Sequence, residues 1–139
     1  MGEYSVEIRD LVKYHGHTLA VDHVSFAVRR GEFFSILGPS GSGKTSTLRL
    51  LAGFEHPDQG EILIEGRSMQ GVPPHHRPVN LVFQSYALFP HLTAFGNVAF
   101  GLEMRRIPRR ETVSRVNAAL EMVHLANKQN RLPSQLSGG

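Results

Sequence analysis

The residues that could do chemistry are concentrated at positions 38–45, which read Gly-Pro-Ser-Gly-Ser-Gly-Lys-Thr. This spacing matches G-x-x-x-x-G-K-[ST], in which glycines let the chain turn so that backbone N–H groups converge on phosphate oxygens. Lys44 would contact the β- and γ-phosphates, and the hydroxyl of Thr45 would bind Mg²⁺. The pattern predicts a binding site for a nucleoside triphosphate with Mg²⁺, rather than a plain glycine-rich turn, formed by Gly38, Pro39, Ser40, Gly41, Ser42, Gly43, Lys44, Thr45 and Ser46.

The elements that must position this loop can be placed from the hydrophobic pattern. An apolar run at 33–37 predicts a strand before the loop, and helical spacing over 44–52 predicts a helix after it, with Gly53 as its C-cap. Further strands are predicted at 5–12, 18–28, 61–65 and 80–83, with a polar loop at 67–77. From residue 86 onward no strand is evident. Helices are predicted over 94–104 and 110–125, the second with a core face of Val113, Val116, Leu120 and Val123.

Composition restricts the possible classes of protein. The chain has 139 residues, 40% of them hydrophobic, and a net charge of +3, which is typical of a folded domain. It has no cysteine, so disulfides and thiolate metal sites are excluded. No run of 18 apolar residues is present, so a membrane connection would come through a partner. A cluster of arginines at 105–110 could contact nucleic acid or could be a solvated helix end.

The last residues, Leu136-Ser137-Gly138-Gly139, add a second motif behind the phosphate loop. Together the two motifs resemble ABC transporter ATP-binding subunits, whose signature is L-S-G-G-Q. The segments 82–93 and 97–102 look most like the spermidine/putrescine importers of that family. The resemblance implies an α/β P-loop NTPase fold of ABC type, present in part. An antiparallel β subdomain with the P-loop core would occupy about 1–85, and the start of a helical subdomain about 86–139.

Roles for further residues follow from the resemblance. Gln84 occupies the place of the family's Q-loop glutamine, whose amide can reach Mg²⁺ or the attacking water. The residue that stacks on adenine corresponds to His15 by register or to Tyr14 by ring size, and both alternatives stay open. Ser137 lies in the signature, which in this family binds the γ-phosphate held by the opposite subunit. The site set therefore includes Ser137, Gly138 and Gly139.

The resemblance also implies partners and a location. Two copies would form a head-to-tail homodimer around ATP, bound to membrane permease subunits and indirectly to a substrate-binding protein, at the cytoplasmic face of the inner membrane. Residues 85–104 would contact the permease, although Tyr86, Leu88, Phe89 and Phe95 could equally form the core of the helical subdomain. No nucleic acid is expected. The alternatives are a nucleotide-binding module that does not hydrolyse ATP, and a soluble ABC ATPase acting on nucleic acid.

Two elements of the family's catalytic machinery are not found in the sequence. No strand ends in Asp-Glu, as the family's Walker B strand does, and no switch histidine follows it. Residues 62–65 read Ile-Leu-Ile-Glu, which has one acid where two are needed, and a surface strand is the better interpretation. We expect a fragment that is inactive alone, with strands 33–37 and 80–83 left unpaired at their edges and prone to self-association.

Overall fold

The computed structural model describes residues 3–84 and 86–137. Among the described residues, strands and a helix occur in the first part of the chain and only helices and helical turns follow, as the sequence predicts. The chain divides between Leu81 and Val82 into two compact units. The subdomain boundary predicted near residue 85 stays a prediction. The elements are β1 Tyr4–His15, β2 Thr18–Arg29, α1 Lys44–Ala52, β3 Gln59–Ile64, β4 Arg67–Ser68, α2 Ala94–Met104 and α3 Arg109–Met122, with 3-10 turns at Pro74–His76, Ala126–Lys128 and Pro133–Gln135.

The first unit contains a four-stranded antiparallel sheet in the order β2-β1-β3-β4. β1 lies inside the sheet, where Glu7 is opposite Ala27 on one side and Leu63 on the other. β1 and β2 are joined by a tight turn at Gly16 and His17, and Gly16 has a φ of 61° that favours glycine. The predicted strands at 5–12, 18–28 and 61–65 are confirmed, and the predicted loop 67–77 begins with the short strand β4.

The core of the first unit is formed between the sheet and α1. Leu50 of α1 is fully buried against apolar side chains of the strands, which alternate between the core face and the solvent face. α1 ends at Gly53, whose φ of 86° and N–H bond to the Leu50 carbonyl (3.1 Å) confirm the predicted C-cap. The buried members of this core are Ile8, Leu11, Val21, Leu50, Ile62, Ile64 and Met69.

Two predicted strands are absent from the described structure. Residues 33–37 and 80–83 have no regular strand structure, so those two predictions are wrong. The physical reason is that a strand needs a hydrogen-bonding neighbour, and among the described residues neither segment has a paired strand. Their apolar side chains are therefore largely in solvent: Phe33 is 94% exposed, Leu37 90% and Val82 82%. Exposed apolar segments of this kind fit the predicted self-association.

The second unit contains α2, α3 and the 3-10 turns that follow them. α2 coincides with the predicted helix 94–104, and α3 ends at Met122, earlier than predicted. Its buried face is Thr112, Val116 and Leu120, spaced four residues apart. Val113 and Val123 were predicted on that face but are exposed, because the helix turns its Thr112 edge to the core. The small core consists of Ala99, Val116 and Leu120, with Phe95, Leu102 and Leu125 packed against it.

The start of α2 is held by side-chain hydrogen bonds. The Thr93 hydroxyl accepts from the Gly96 N–H (3.1 Å), so Thr93 is an N-cap. The Asn97 amide bonds both the N–H and the carbonyl of Phe89 and so fixes the loop before the helix. Within the described residues the helices contain 9, 11 and 14 residues, and none of them has the length or apolar character needed to cross a bilayer.

Candidate phosphate-binding site

The backbone of the loop 38–45 depends on its glycines. Gly41 has a φ of 81° and Gly43 a φ of 85°, in the left-handed region that residues with a Cβ rarely adopt. A Cβ on Gly43 would also lie 2.2 Å from the Ala20 carbonyl oxygen, so the loop packs directly against the backbone of β2. The sheet therefore supports a loop whose shape requires glycine at these positions.

The loop leads into the N-terminus of α1, and this terminus has no internal partner for its positive charge. Gly43 is the N-cap residue, no side chain caps the helix, and its first turn contains no acid. The first N–H groups of a helix have no carbonyl within the helix to bond, and the helix dipole adds partial positive charge there. Such a terminus is suited to bind phosphate.

The ammonium group of Lys44 lies across the loop. Its Nζ donates to the carbonyl oxygens of Gly38 (2.9 Å) and Pro39 (2.6 Å) and lies 3.3 Å from the Ser42 hydroxyl. A positive charge is thus held at the loop by the loop's own carbonyl groups. These contacts join Gly38, Pro39, Ser42 and Lys44 of the predicted site, whose role in binding stays a prediction.

Thr45 and Thr47 play different parts at the start of α1. Thr47 is buried, and its hydroxyl donates to the Gly43 carbonyl (2.9 Å), which fixes the turn. Thr45 is exposed, so its hydroxyl is accessible to a cation. Among residues 3–84 and 86–137 no group of three or more acids or histidines could hold a metal. Mg²⁺ often takes few protein ligands and binds through phosphates and water, which fits a lone Thr45 hydroxyl here.

His15, not Tyr14, contacts the loop's helix through its side chain. The Nε2 atom of His15 lies 3.3 Å from the Ser46 hydroxyl in the first turn of α1. Tyr14 contributes its backbone, donating its N–H to the Asp58 carboxylate (2.7 Å), while its ring is exposed. This placement favours His15 as the base-stacking residue, although that role stays a prediction.

Asp58 fixes the end of β1 at which His15 lies. The Tyr14 N–H bond, assisted by the nearby Lys13 ammonium, lowers the pKa of the Asp58 carboxyl below its ordinary value. The ionised carboxylate therefore links β1 to the turn before β3. Sequence reasoning identified this segment only as a turn, because the partner of Asp58 lies far away along the chain.

Glu55 is a residue near the site that the sequence does not reveal. One carboxylate oxygen lies 2.7 Å from the Arg49 Nε, and the other lies 3.6 Å from the Nε2 of His15. That second oxygen is buried and has no hydrogen-bond partner within the described part of the chain. Glu55 thus lies next to the His15 ring, where it can restrict the ring's orientation.

Arg77 supports the other end of α1 and was also missed. Its buried guanidinium donates to the carbonyls of Leu50 and Leu51 (2.9 Å each) at the C-terminus of the helix. It also donates to the carbonyls of Val72 and Met69. Burial lowers the pKa of Arg77, yet an arginine stays charged at neutral pH, and a cation stabilises a helix C-terminus. No local pattern marks this role, since its acceptors come from three separate segments.

Gln84 and the signature residues lie in the second unit. Gln84 is an exposed residue in a turn, where the Tyr86 N–H donates to the Phe83 carbonyl (2.9 Å). Tyr86 and Ala87 have positive φ values of 63° and 49°, which are strained for residues with a Cβ. Ser137 is exposed. The predicted Gly138 and Gly139 lie outside the described residues, and the roles of Gln84 and Ser137 stay predictions.

The aromatic segment before α2 is divided between surface and core. Tyr86, Leu88 and Phe89 are exposed, and the rings of Phe89 and Phe100 lie 4.5 Å apart. Phe95 instead packs against the core of the second unit. Of the two alternatives left open for these residues, core packing therefore applies to Phe95, and the side chains of Tyr86, Leu88 and Phe89 are exposed.

Comparisons with known proteins agree with this geometry. Residues 21–139 match the sequence profile described as ABC transporter. The chain is 54% identical over 138 residues to the spermidine/putrescine import ATP-binding protein PotA of Acidothermus cellulolyticus, covering 96% of this chain and 36% of that protein. It is 56% identical over 135 residues to the protein of the same name from Trichodesmium erythraeum, covering 96% and 35%. The chain thus spans about a third of the length of these relatives.

A solved structure shows the same fold. It is described as a dimeric, post-hydrolysis state of the ATP-binding cassette MJ0796 bound to ADP and Pi. The similarity has a TM-score of 0.82 at 30% identity and covers 96% of this chain and 63% of the other. The predicted fold class, a partial α/β P-loop NTPase of ABC type, is confirmed. With its glycine-dependent phosphate loop and these matches, the chain belongs to the ABC transporter family.

Proposed function

We propose that this chain is the nucleotide-binding part of the energy-coupling subunit of an ABC importer and binds ATP with Mg²⁺. The observation that carries the proposal is the cradle at residues 38–45. There the Gly43 backbone rests against β2, the N-terminus of α1 is uncapped, and the Lys44 ammonium lies over the loop. A glycine-dependent loop with an ammonium group and an uncapped helix N-terminus beside it supports the proposal, because both features favour binding of phosphate groups.

The proposed cargo of the importer is a polyamine. This inference rests on relatives named spermidine/putrescine import ATP-binding proteins, at 50 to 56% identity. Polyamines are cations that would pass through the membrane subunits, so the ATPase subunit would have no direct contact with them. In the whole protein, hydrolysis would drive the transport cycle through closure and opening of a dimer.

Two kinds of partner are proposed. A second copy of the subunit would place its signature, which includes Ser137, on the γ-phosphate bound by this copy's loop. Permease subunits would contact the exposed side chains of Tyr86, Leu88 and Phe89 at the cytoplasmic face of the membrane, and through them the subunit would act with a substrate-binding protein. Exposed apolar side chains grouped in one loop are typical of a protein interface.

The test is nucleotide binding by the Lys44→Ala variant, measured by isothermal titration calorimetry with Mg-ATP. Loss of a charge-assisted contact to phosphate should weaken binding by roughly 100-fold. Lys128→Ala removes the same charge from the second unit and should leave the affinity unchanged. Equal affinity in the wild type and Lys44→Ala would contradict the proposal.

A second candidate function is ATP binding without hydrolysis by this chain alone. The observation that favours it is the state of Glu65, the one acid at the end of β3, which is ion-paired with Arg30 at the surface. A carboxylate held in that way is not available to polarise an attacking water. A phosphate-release assay decides between the two functions: release at a steady rate by the purified chain excludes the binding-only module.

A further inference from the structure

The turn between α2 and α3 has a high density of positive charge. We call residues 105–110 the arginine turn, because they include four exposed arginines, at 105, 106, 109 and 110. Within the described residues none of the four forms an ion pair, and the nearby Glu111 is paired with Arg115. Glu103 and Glu111 flank the turn, but neither is paired with one of its four arginines in the described part of the chain.

Helix stability does not account for this arrangement. α3 begins at Arg109, directly after Pro108, with no side-chain cap. The N-terminus of a helix carries partial positive charge, so acids stabilise it and arginines at its first positions oppose it. Arg109 and Arg110 at this terminus therefore reduce local stability, whereas Arg105 is the C-cap residue of α2, where a cation is favourable. The cost at the start of α3 suggests that the arginines there interact with an anion outside the chain.

The arginine turn also has an apolar neighbour. Met104, the last residue of α2, is 67% exposed beside Arg105, and Pro108 is exposed within the turn. An exposed methionine among arginines suits a surface that has negative charge at its outside and an apolar layer beneath. A phospholipid bilayer has both, whereas a nucleic acid backbone offers no apolar layer next to its phosphates.

We propose that the arginine turn binds the surface of a membrane containing anionic phospholipids, with the four guanidinium groups on lipid phosphates and Met104 at the interface. This contact is direct and is separate from any contact through permease subunits. It does not depend on nucleotide binding, because none of its residues belongs to the phosphate loop. Arginine suits the role because its planar fork bonds phosphate oxygens in pairs.

The experiment is co-sedimentation of the purified 139-residue chain with vesicles of phosphatidylcholine, with and without phosphatidylglycerol. The chain should bind only the vesicles that contain phosphatidylglycerol, and added salt should weaken binding. Each arginine near an anionic surface contributes about five-fold to partitioning, so the double variant Arg105→Gln/Arg106→Gln should bind about 20-fold more weakly. The matched control, Arg67→Gln/Arg131→Gln, has the same net charge as that double variant and should bind like the wild type.

Three further variants sharpen the test. Arg105→Lys/Arg106→Lys should retain most of the binding, because the charge is kept. Arg109→Gln/Arg110→Gln should weaken vesicle binding while raising the thermal midpoint slightly, which separates lost contact from misfolding. Lys44→Ala should bind vesicles normally, so failure of the nucleotide proposal and of this one can be told apart.

Several outcomes would overturn the proposal. Equal binding to neutral and anionic vesicles would exclude recognition of charge, and the same loss in the control variant would show only a net-charge effect. No binding to either vesicle would also reject it. Tighter, salt-sensitive binding of duplex DNA than of anionic vesicles, lost in the Arg105→Gln/Arg106→Gln variant, would assign the turn to nucleic acid instead.

Discussion

The two units of this chain use their side chains in contrasting ways. In the first unit a single helix packs on a four-stranded sheet, and seven buried residues form one core beneath the phosphate loop. In the second unit two helices share a core of three buried residues, and aromatic side chains before α2 remain exposed. The first unit therefore has the larger core and the second the smaller one, while both expose some apolar side chains, such as Phe33 and Leu37 in the first unit.

The difference fits the ligands that we propose for the two units. A phosphate group is held by backbone N–H groups, which must already point at one place, so the loop needs rigid support from β2 and α1. A protein or membrane surface is held by side chains spread over an area, so exposed apolar and cationic residues serve there. A small core also makes local opening easier.

The largest expected effect is that of Gly43→Ala in the phosphate loop. The new Cβ would meet the Ala20 carbonyl at 2.2 Å in a backbone with a φ of 85°, so the loop must shift. We expect a loss of about 3 kcal/mol of unfolding free energy and no measurable ATP binding. Gly16→Ala is the matched control, with a similar φ of 61° but no atom within 4 Å, and it should lose only about 1 kcal/mol. Urea unfolding and calorimetry measure the two quantities.

Two outcomes would contradict this prediction. If Gly16→Ala and Gly43→Ala were equally destabilised, the strain of a positive φ alone would explain the lost free energy of unfolding. The packing of the loop against β2 would then contribute nothing to it. If Gly43→Ala kept its ATP affinity, the fixed backbone would not be needed for binding.

An intermediate effect is expected from Val116→Ala in the core of the second unit. Val116 is fully buried, so removing two methyl groups should cost about 2 kcal/mol. Val113→Ala changes an exposed valine on the same helix and should stay within about 0.5 kcal/mol of the wild type. Circular dichroism during urea unfolding reports the difference. ATP affinity should be the same in both variants, and a fall limited to Val116→Ala would show that the nucleotide site depends on the second core.

The smallest effect concerns Asp58→Asn and its pH dependence. Because the folded chain lowers the pKa of Asp58, the stabilisation is fully present above the carboxyl's unfolded pKa of about 3.9 and is lost as pH falls through the folded value. The variant should be less stable than the wild type at pH near 7, and the difference should vanish in acid. Asp22→Asn, an exposed control on β2, should show little difference at either pH. A constant gap between the wild type and Asp58→Asn from neutral to acid pH would contradict the assignment.

Much of the site could be predicted because its information is local. The glycines, Lys44 and Thr45 occupy consecutive positions, and the helix that follows them has the predicted bounds, including the Gly53 cap. Three of the four strands of the antiparallel sheet were likewise predicted, since alternating side chains and short turns are visible in a few residues, whereas the short β4 was predicted as a loop. The helices of the second unit were predicted from the helical spacing of their apolar residues, but the buried face of α3 was not predicted correctly.

The features that the sequence did not predict depend on contacts between residues far apart in the chain. Arg77 bonds the end of α1, Glu55 lies beside His15, and Val113 is turned to solvent because the packing of α3 on α2 selects the Thr112 edge. The segments 33–37 and 80–83 have strand-like sequences but no strand structure, because pairing requires a neighbour that the pattern of a segment cannot supply. Sequence thus determines which backbone shapes are possible, and packing determines which groups meet.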